Sequence, residues 1–576
     1  MNNWFREPPI QRQKWGETQV LPHVNWGDLF FDLFYVAGAY NLSYIIKSDP
    51  SSLSLLYVLG CFAPLMNCFW TQKMIFDARY QLPDDFLHVM LEVLQLCFLA
   101  TAVLHIRPVA DMSLVSSNPD MFLFCLSCWL SLVHGFILNL EIRFWDSKGQ
   151  DCAKYQSVTT IIEKVPCFLL ITIATIYSGY LYYGSNDGGE YGYGSNSTAA
   201  SHSYDGDGQR TLGAESGLPE SDAVYHLPII LMMCGGYSVL MAIYPVGYIR
   251  GRGSNFKDFS VPMNISFAIH RFGEWTMLML GESILSLLIV EISDEVPAFY
   301  FTFYVGIVSV ILLQYLHFKS QPHDADGHAL RRSRLGGTAF AWLNQIYSAA
   351  LIIVGVSYKM LLTEYQYEVK EEVVDYDNNY NKSSSILGRL LAGDDSKSKY
   401  DTEDRRQRIA YFFCAGLAVV FACLDLLNLA HNGIAASLNR CTCTKGNLRI
   451  KAVFFVVVFR LVIILLTATA CFYITEPELV AVVGFTAIFM QVLIRIMGSF
   501  FFPSQHKIHS AHDEAENHNG HDGEPSSNKG GDQVVVLEMK NRNDQHKPIG
   551  KRELHFQIQP MSISDDDVFH DQERLK

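Results

Sequence analysis

The chain has 576 residues, 49% of them hydrophobic and only 18% charged, with a formal net charge of −14. A soluble domain carries about 25% charged residues. Here apolar runs of roughly 18–25 residues recur as far as the last fifth of the chain, the length that crosses about 30 Å of hydrocarbon, which excludes a large soluble enzyme. The net acidity excludes a nucleic-acid binder, which needs a basic surface to neutralise phosphates.

Twelve spans are predicted in chain order, near 29–46, 53–72, 86–106, 121–140, 165–183, 226–249, 272–290, 298–318, 339–361, 408–430, 450–474 and 479–502. They make an all-α polytopic membrane protein of about twelve transmembrane helices. Residues 1–28 form a short N-terminal segment, 29–249 a first membrane half, 250–502 a second half and 503–576 a tail. The N-terminal stretch MNNWFREPPIQRQKWGETQVLPHVN has no apolar core of a cleavable signal, so the first span is expected to act as its own insertion signal.

Orientation follows from Lys and Arg, which accumulate in short cytoplasmic loops. The even-numbered loops (73–85, 141–164, 249–271, 318–338 and 431–451) hold 18 of them, while the other short loops, with 184–225, hold three. Both termini are therefore expected in the cytoplasm, in a plasma or internal membrane. Sequons at Asn196 and Asn381 then fall on the outer side, where glycosylation is open to them. Neither long outer loop contains a cysteine, so no disulfide framework is implied. Cys152, Cys441 and Cys443 fall on the reducing side; the last two sit near a span as a palmitoylation candidate or an unmodified pair.

The loop 184–224 (GSNDGGEYGYGSNSTAASHSYDGDGQ) is Gly, Ser, Tyr and acid rich and reads as disordered. Residues 364–406 read as a second, acidic outer loop. The tail opens with His506, His509, His512, His518 and His521, a tract able to bind Zn²⁺ but more simply a solvated linker. No metal or cofactor is assigned. His323, Asp324, Asp326 and His328 include the D-x-D-G order of a calcium loop without its other ligands or terminal Glu.

The first span poses the central question, because DLFFDLFYVAGAYNLSYII keeps Asp28 and Asp32 in a greasy helix. At about 100° per residue, Asp28, Asp32, Tyr35, Ala39 and Ser43 share an arc of roughly 80°, while Phe30, Phe31, Leu33 and Phe34 point elsewhere. The seventh span repeats the arrangement, with Arg271, Glu274, Gly281, Glu282 and Ser286 within about 140°. In the third, His88, Glu92 and Gln95 line one face. A carboxylate in the bilayer costs about 2.5–3.5 kcal/mol, so it is expected to face the bundle interior with a partner. Arg79, Asp425, Arg460 and Arg495 are candidate counter-charges. Such residues act either as interhelical glue or as a pathway, and the pathway is favoured for Asp32 and Glu282. The similar openings of spans one and seven, each followed by an aromatic (Trp70, Tyr315) and by a polar span (Glu92 and Gln95; Asn344 and Gln345), suggest two six-helix halves of one orientation, as in transporters built from parallel repeats.

Several landmarks resemble a known family. GDLFFDLFYVAGAYNLS, WTQKMIFDARYQLPDDFLHVMLEVLQ and HRFGEWTMLMLGESILSL are similar, in order, to those of the low temperature requirement A family of membrane proteins, and HALRRSR resembles a fourth. Two departures stand out: Asp28 replaces the usual Glu, and His270 replaces the Glu of ERFG. The resemblance implies a polytopic membrane protein and points to Asp28, Phe31, Asp32, Trp70, Arg79, Asp84, Asp85, His88, Arg271, Gly273, Glu274, Gly281 and Glu282; it supplies no mechanism.

The function expected is translocation of an ion or small solute, in a proton-coupled form, through Asp28, Asp32, Arg79, His88, Glu92, Arg271, Glu274 and Glu282. Asp32 and Glu282 would sit at equivalent places in the two halves. The alternative is a membrane sensor or scaffold acting through its cytoplasmic tail. An enzyme is not expected, since no H-E-x-x-H, nucleophile elbow or phosphate loop is present. The expected partners are the lipid bilayer and an unidentified ion or small solute.

Overall fold

A computed structural model describes residues 7, 9–15, 26–83, 85–113, 118–144, 151–187, 223–251, 260–290, 297–322, 327–332, 334–382, 395–432 and 447–501. Asp84, Asn196, His323, Asp324, Asp326, Cys441, Cys443, the tail histidines and most of the first long loop lie outside them.

A two-residue strand, β1 (Ile10–Gln11), precedes α1 (Trp26–Ser48). Then α2 (Ser52–Pro64), a π-helical turn (Leu65–Trp70) and α3 (Thr71–Asp77) run on as one helix. The strand β2 (Tyr80–Gln81) is followed by α4 (Phe86–Leu104), the short α5 (Val109–Met112), α6 (Asp120–Phe144), α7 (Asp151–Asp187) and α8 (Ala223–Gly251). The rest comprises α9 (Ile265–Leu288), α10 (Pro297–Ser320), the single turn α11 (Ala329–Arg332), α12 (Arg334–Lys382), α13 (Asp395–Asn432), α14 (Asn447–Ala470) and α15 (Pro477–Phe501).

Among the described residues, ten helices are long and apolar enough to cross a membrane, and the architecture is that of an all-α polytopic membrane protein. Two further helices coincide with predicted spans. The helix α9 has the length but carries Arg271, Glu274 and Glu282, and Val456–Ala470 in α14 is a shorter apolar stretch.

Polar residues at the span edges start the helices. Ser51, Asp85 and Asn264 accept from the backbone N–H three residues on, capping α2, α4 and α9. Pro64 brings no N–H to the helix it ends, and the chain widens into the π turn immediately after it. That turn buries Asn67, Cys68 and Trp70 completely. The centre of the bundle is α12, whose membrane-length window is 89% buried, against 28% for α4 and 22% for α7 at the periphery. Asn67 and Gln345 exchange side-chain hydrogen bonds of 3.0 and 2.7 Å, joining the π turn to α12.

The pairing of α1 with α9 organises the interior. Asp32 meets Arg271, Tyr35 packs edge-on against Trp275 at 5.0 Å, and Ser43 lies beside Glu282. The two helices therefore run in the same direction with one register throughout. On α1 the stripe Asp28, Asp32, Tyr35, Ala39 and Ser43 is buried, whereas Phe30 and Leu33 are more than half exposed. Phe31, expected on the outer face, is buried as well, under the ammonium of Lys73 at 5.7 Å from its ring.

Two departures concern loops. The stretch expected as an acidic outer loop at 364–406 is largely occupied by continuing helix, since α12 runs to Lys382 and α13 begins at Asp395. The buried Glu364 holds these helices together through Arg405, at 3.1 Å. The N-terminal segment forms a strap. It pairs antiparallel with 80–81, sends Glu7 N to Asp85 Oδ2, places Arg12 over the Phe267 ring at 4.8 Å and donates from Trp15 Nε1 to Ser260 O at 3.0 Å. It thus ties the segment before α4 to the segment before α9.

Candidate functional site

Many of the charged residues of the interior gather near the strap in three groups. In the first, Arg271 grips Asp32 with both ends of its guanidinium, Nη1 to Oδ2 at 2.8 Å and Nη2 to Oδ1 at 2.9 Å. Both partners are about 95% buried or more. Arg271 Nη1 also reaches Glu274 at 2.8 Å, one turn along α9, and Glu274 is met by His270 Nε2 at 3.2 Å. The planar fork matches a carboxylate in two-point contact, and an 80° polar arc leaves Asp32 one direction to face.

The second group surrounds Lys73, the third residue of α3. Its ammonium lies 2.9 Å from Asp77, 3.2 Å from Glu92 and 3.6 Å from Asp28. Three helices, α1, α3 and α4, supply the three carboxylates. Beside them lies a cavity of about 20 Å³, lined by Gln72, Lys73, Asp77, Glu92, Gln95 and His134.

In the third group Asp85 caps α4 and bonds the Nδ1 of His88 at 2.8 Å, while His88 Nε2 meets Glu141 of α6 at 3.2 Å. All three side chains are buried. Burial raises the Asp85 carboxyl, but the amides of His88 and Glu7 and the imidazole outweigh it and hold the group below the usual carboxylate range.

Glu282 stands apart. Eleven residues beyond Arg271, it sits about 16 Å further along α9 at 1.5 Å per residue. It is 1% exposed, and its Oε1 accepts from Ser286 Oγ at 2.7 Å. Its Oε2 makes no hydrogen bond of close geometry, and the nearest hydroxyl from another helix is that of Ser43 on α1. Lys359 of α12, whose ammonium lies over the Tyr40 ring at 5.2 Å, is the cation that bears on it.

The structure therefore brings Asp28, Asp32, His88, Glu92, Arg271 and Glu274 to one end of the bundle and leaves Glu282 three turns away. Asp32 and Glu282 do not occupy equivalent places, because the residue of α9 facing Asp32 is Arg271 and the residue of α1 facing Glu282 is Ser43. Among the described residues Arg79, a candidate counter-charge, forms no ion pair with the acidic stripe. Its carbonyl accepts from Arg12 N in the strap, and its Nε is buried without a partner. Lys73 takes that role. Arg460 and Arg495 pair with Asp425 at 2.6 and 3.4 Å, so these candidate counter-charges form a cluster of their own across α13, α14 and α15, with one positive charge in excess.

Sequence reading missed Lys73, Asp77, Gln72 and His134. The i,i+4 spacing of Lys73 and Asp77 was the one local signal. Among the described residues, no group of three His, Cys, Asp or Glu side chains is placed to hold a metal ion. No family model, no curated protein and no solved structure matches the chain.

Proposed function

We propose that the chain is a transporter: twelve spans in two parallel six-helix halves, both termini cytoplasmic, moving an ion or small solute across the bilayer with protons through the carboxylates of α1 and α9. The motif resemblance to the low temperature requirement A family belongs to the same proposal, as does glycosylation of Asn196 and Asn381 on the outer face. The neighbour pattern supports the halves: α2 packs on α8 as α10 packs on α15, and α1 touches α2 as α9 touches α10.

The observation that carries the reading is Glu282. Glue closes its charges, as Asp32 and Arg271 do. Among the described residues Glu282 reaches only the hydroxyls of Ser286 and Ser43, with Lys359 acting from further off, and a carboxyl deep in a span without a close counter-charge is a poor fastener. It suits a group that takes up and releases a proton or cation. Asp32, locked by Arg271, then holds the two helices in register at the cytoplasmic end, while Glu282 carries the exchange.

Purified protein in liposomes under an imposed pH gradient tests this. Proton-linked flux should fall at least about tenfold in Glu282→Gln, which corresponds to 1.4 kcal/mol. Unchanged flux in that variant, folded as judged by gel filtration, removes Glu282 from the pathway and the reading with it.

A further inference from the structure

We infer that the cavity between α3, α4 and α6 binds one monovalent cation, with Asp77 and Glu92 supplying the charge and the amide oxygen of Gln72 a further ligand. The inference names the cargo class for the transport reading and rests on it for its purpose; binding itself is measurable without transport.

Charge comes first. Asp28, Asp77 and Glu92 surround one ammonium, Lys73, at 2.9–3.6 Å. Taken as ionised, these four groups leave two negative charges in excess, which Lys164, a buried cation on the His134 side of the cavity, offsets only in part. A cluster built only to fasten helices needs no such excess. Lys73 moderates the attraction and keeps the site from holding a cation too tightly to release it.

The cavity also has an unused polar atom. Gln72 spends its amide N–H on the Ser131 carbonyl at 3.2 Å, which fixes the side chain and leaves Oε1 buried without a partner. His134 is 3% exposed, lines the same space and lies against the Leu91 backbone. Buried polar groups are normally satisfied. The amide oxygen of Gln72, a residue only 7% exposed, is left open beside two carboxylates and is satisfied by a cation.

Size and donor type narrow the class. About 20 Å³ exceeds the roughly 10–15 Å³ that one water needs and is far below an organic solute. Carboxylate and amide oxygens suit hard cations. A divalent ion wants six or more oxygens or a tight octahedron, and the described residues hold no three-ligand metal group. Two carboxylates and one amide oxygen around a space of this size suit a single alkali-type ion or ammonium.

Gly135 shows that the space is shaped. A Cβ there would fall on the Gln72 amide, so Gly135→Ala pushes Gln72 out of place without changing charge.

The test is equilibrium binding of ²²Na⁺ and ⁸⁶Rb⁺ to the full-length protein in nanodiscs. Saturable binding of at least one ion is expected. It should weaken about tenfold or more in Glu92→Gln and Asp77→Asn and tighten about tenfold in Lys73→Gln, each removing one charge at close range. Gly135→Ala should weaken it as well. If Asp77→Asn fails to fold, Glu92→Gln decides the matter, because that side chain is 46% exposed and tolerates neutralisation. Absence of saturable binding, or binding indifferent to Glu92→Gln and Lys73→Gln, shows that the cavity holds only water and overturns the inference. Binding with these responses but no flux through Glu282 removes the transport reading and leaves the site. Flux that needs Glu282 without such binding does the reverse.

Discussion

Asp32 and Arg271, 239 residues apart in sequence, make a two-point ion pair at 2.8 and 2.9 Å in the interior of the bundle. Removing one partner of such a pair leaves a charge stranded where water cannot reach it, at a cost of about 3–5 kcal/mol, while replacing both is far less damaging. Arg271→Gln should therefore lower the thermal midpoint in detergent steeply, and Asp32→Asn should do so too. The double variant should recover at least half of the loss. Additive losses in the double variant show that the two side chains act separately.

Close helix approach depends on Gly236. A Cβ on this residue would lie 2.6–2.8 Å from backbone and Cβ atoms of Ala63 and Pro64. These are backbone atoms at the proline that precedes the π turn, so they cannot swing aside. Gly236→Ala should destabilise by about 1–3 kcal/mol, while Gly281→Ala, with nothing within 4 Å of its Cβ, should be tolerated apart from any role in the pathway. Thermal unfolding of the two variants side by side checks this.

The strap should fasten the two loops it spans. Deleting residues 1–15 removes the pairing with β2, the Arg12–Phe267 contact and the Trp15 hydrogen bond. Hydrogen exchange of 78–83 and 260–264 should then rise, while the exchange of α12 stays slow. Unchanged exchange at both loops shows that the strap rests on the bundle without holding it.

The long elements were legible because hydrocarbon demands about 20 apolar residues per crossing, and the polar stripe of α1 was legible because Asp28, Asp32 and Ser43 repeat at helical spacing. Partners were not. Sequence offers Arg79 and Arg271 equally to Asp32, and only the packing of α1 on α9 selects Arg271. Lys73 was passed over because a lysine at the end of an apolar run reads as a headgroup anchor. The strap was invisible, since two-residue strands leave no periodicity to detect. Residues 364–406 looked like a loop because their acidity masks a helix continued past the membrane from α12.

Acidification should act through two groups outside the spans, in separate windows. His328, between α10 and α12, is fully buried against Phe340 and His431, with ring centroids 4.7 and 4.4 Å away. Its Nδ1 accepts from Leu330 N at 3.3 Å. Burial first, then the neighbouring His431, lower it to about 3, whereas the unfolded chain titrates near 6.5. A group depressed on folding stabilises above its unfolded value and loses that contribution as pH falls toward its folded value. His328 should therefore destabilise the fold progressively below about pH 6.5. Asp85 is also depressed on folding, so its contribution is complete above the unfolded carboxylate value near 3.9 and is lost only below it. The thermal midpoint should thus fall between pH 6.5 and 4.5 in the wild type, and the slope should flatten in His328→Phe. Asp85→Ala, which removes the cap of α4, should lower the midpoint at every pH above about 4, by about 1 kcal/mol for the lost cap. A wild-type midpoint flat across that interval shows that His328 stays as easily protonated in the fold as in the unfolded chain, and the buried neutral imidazole is then the wrong description of the α10–α12 connection.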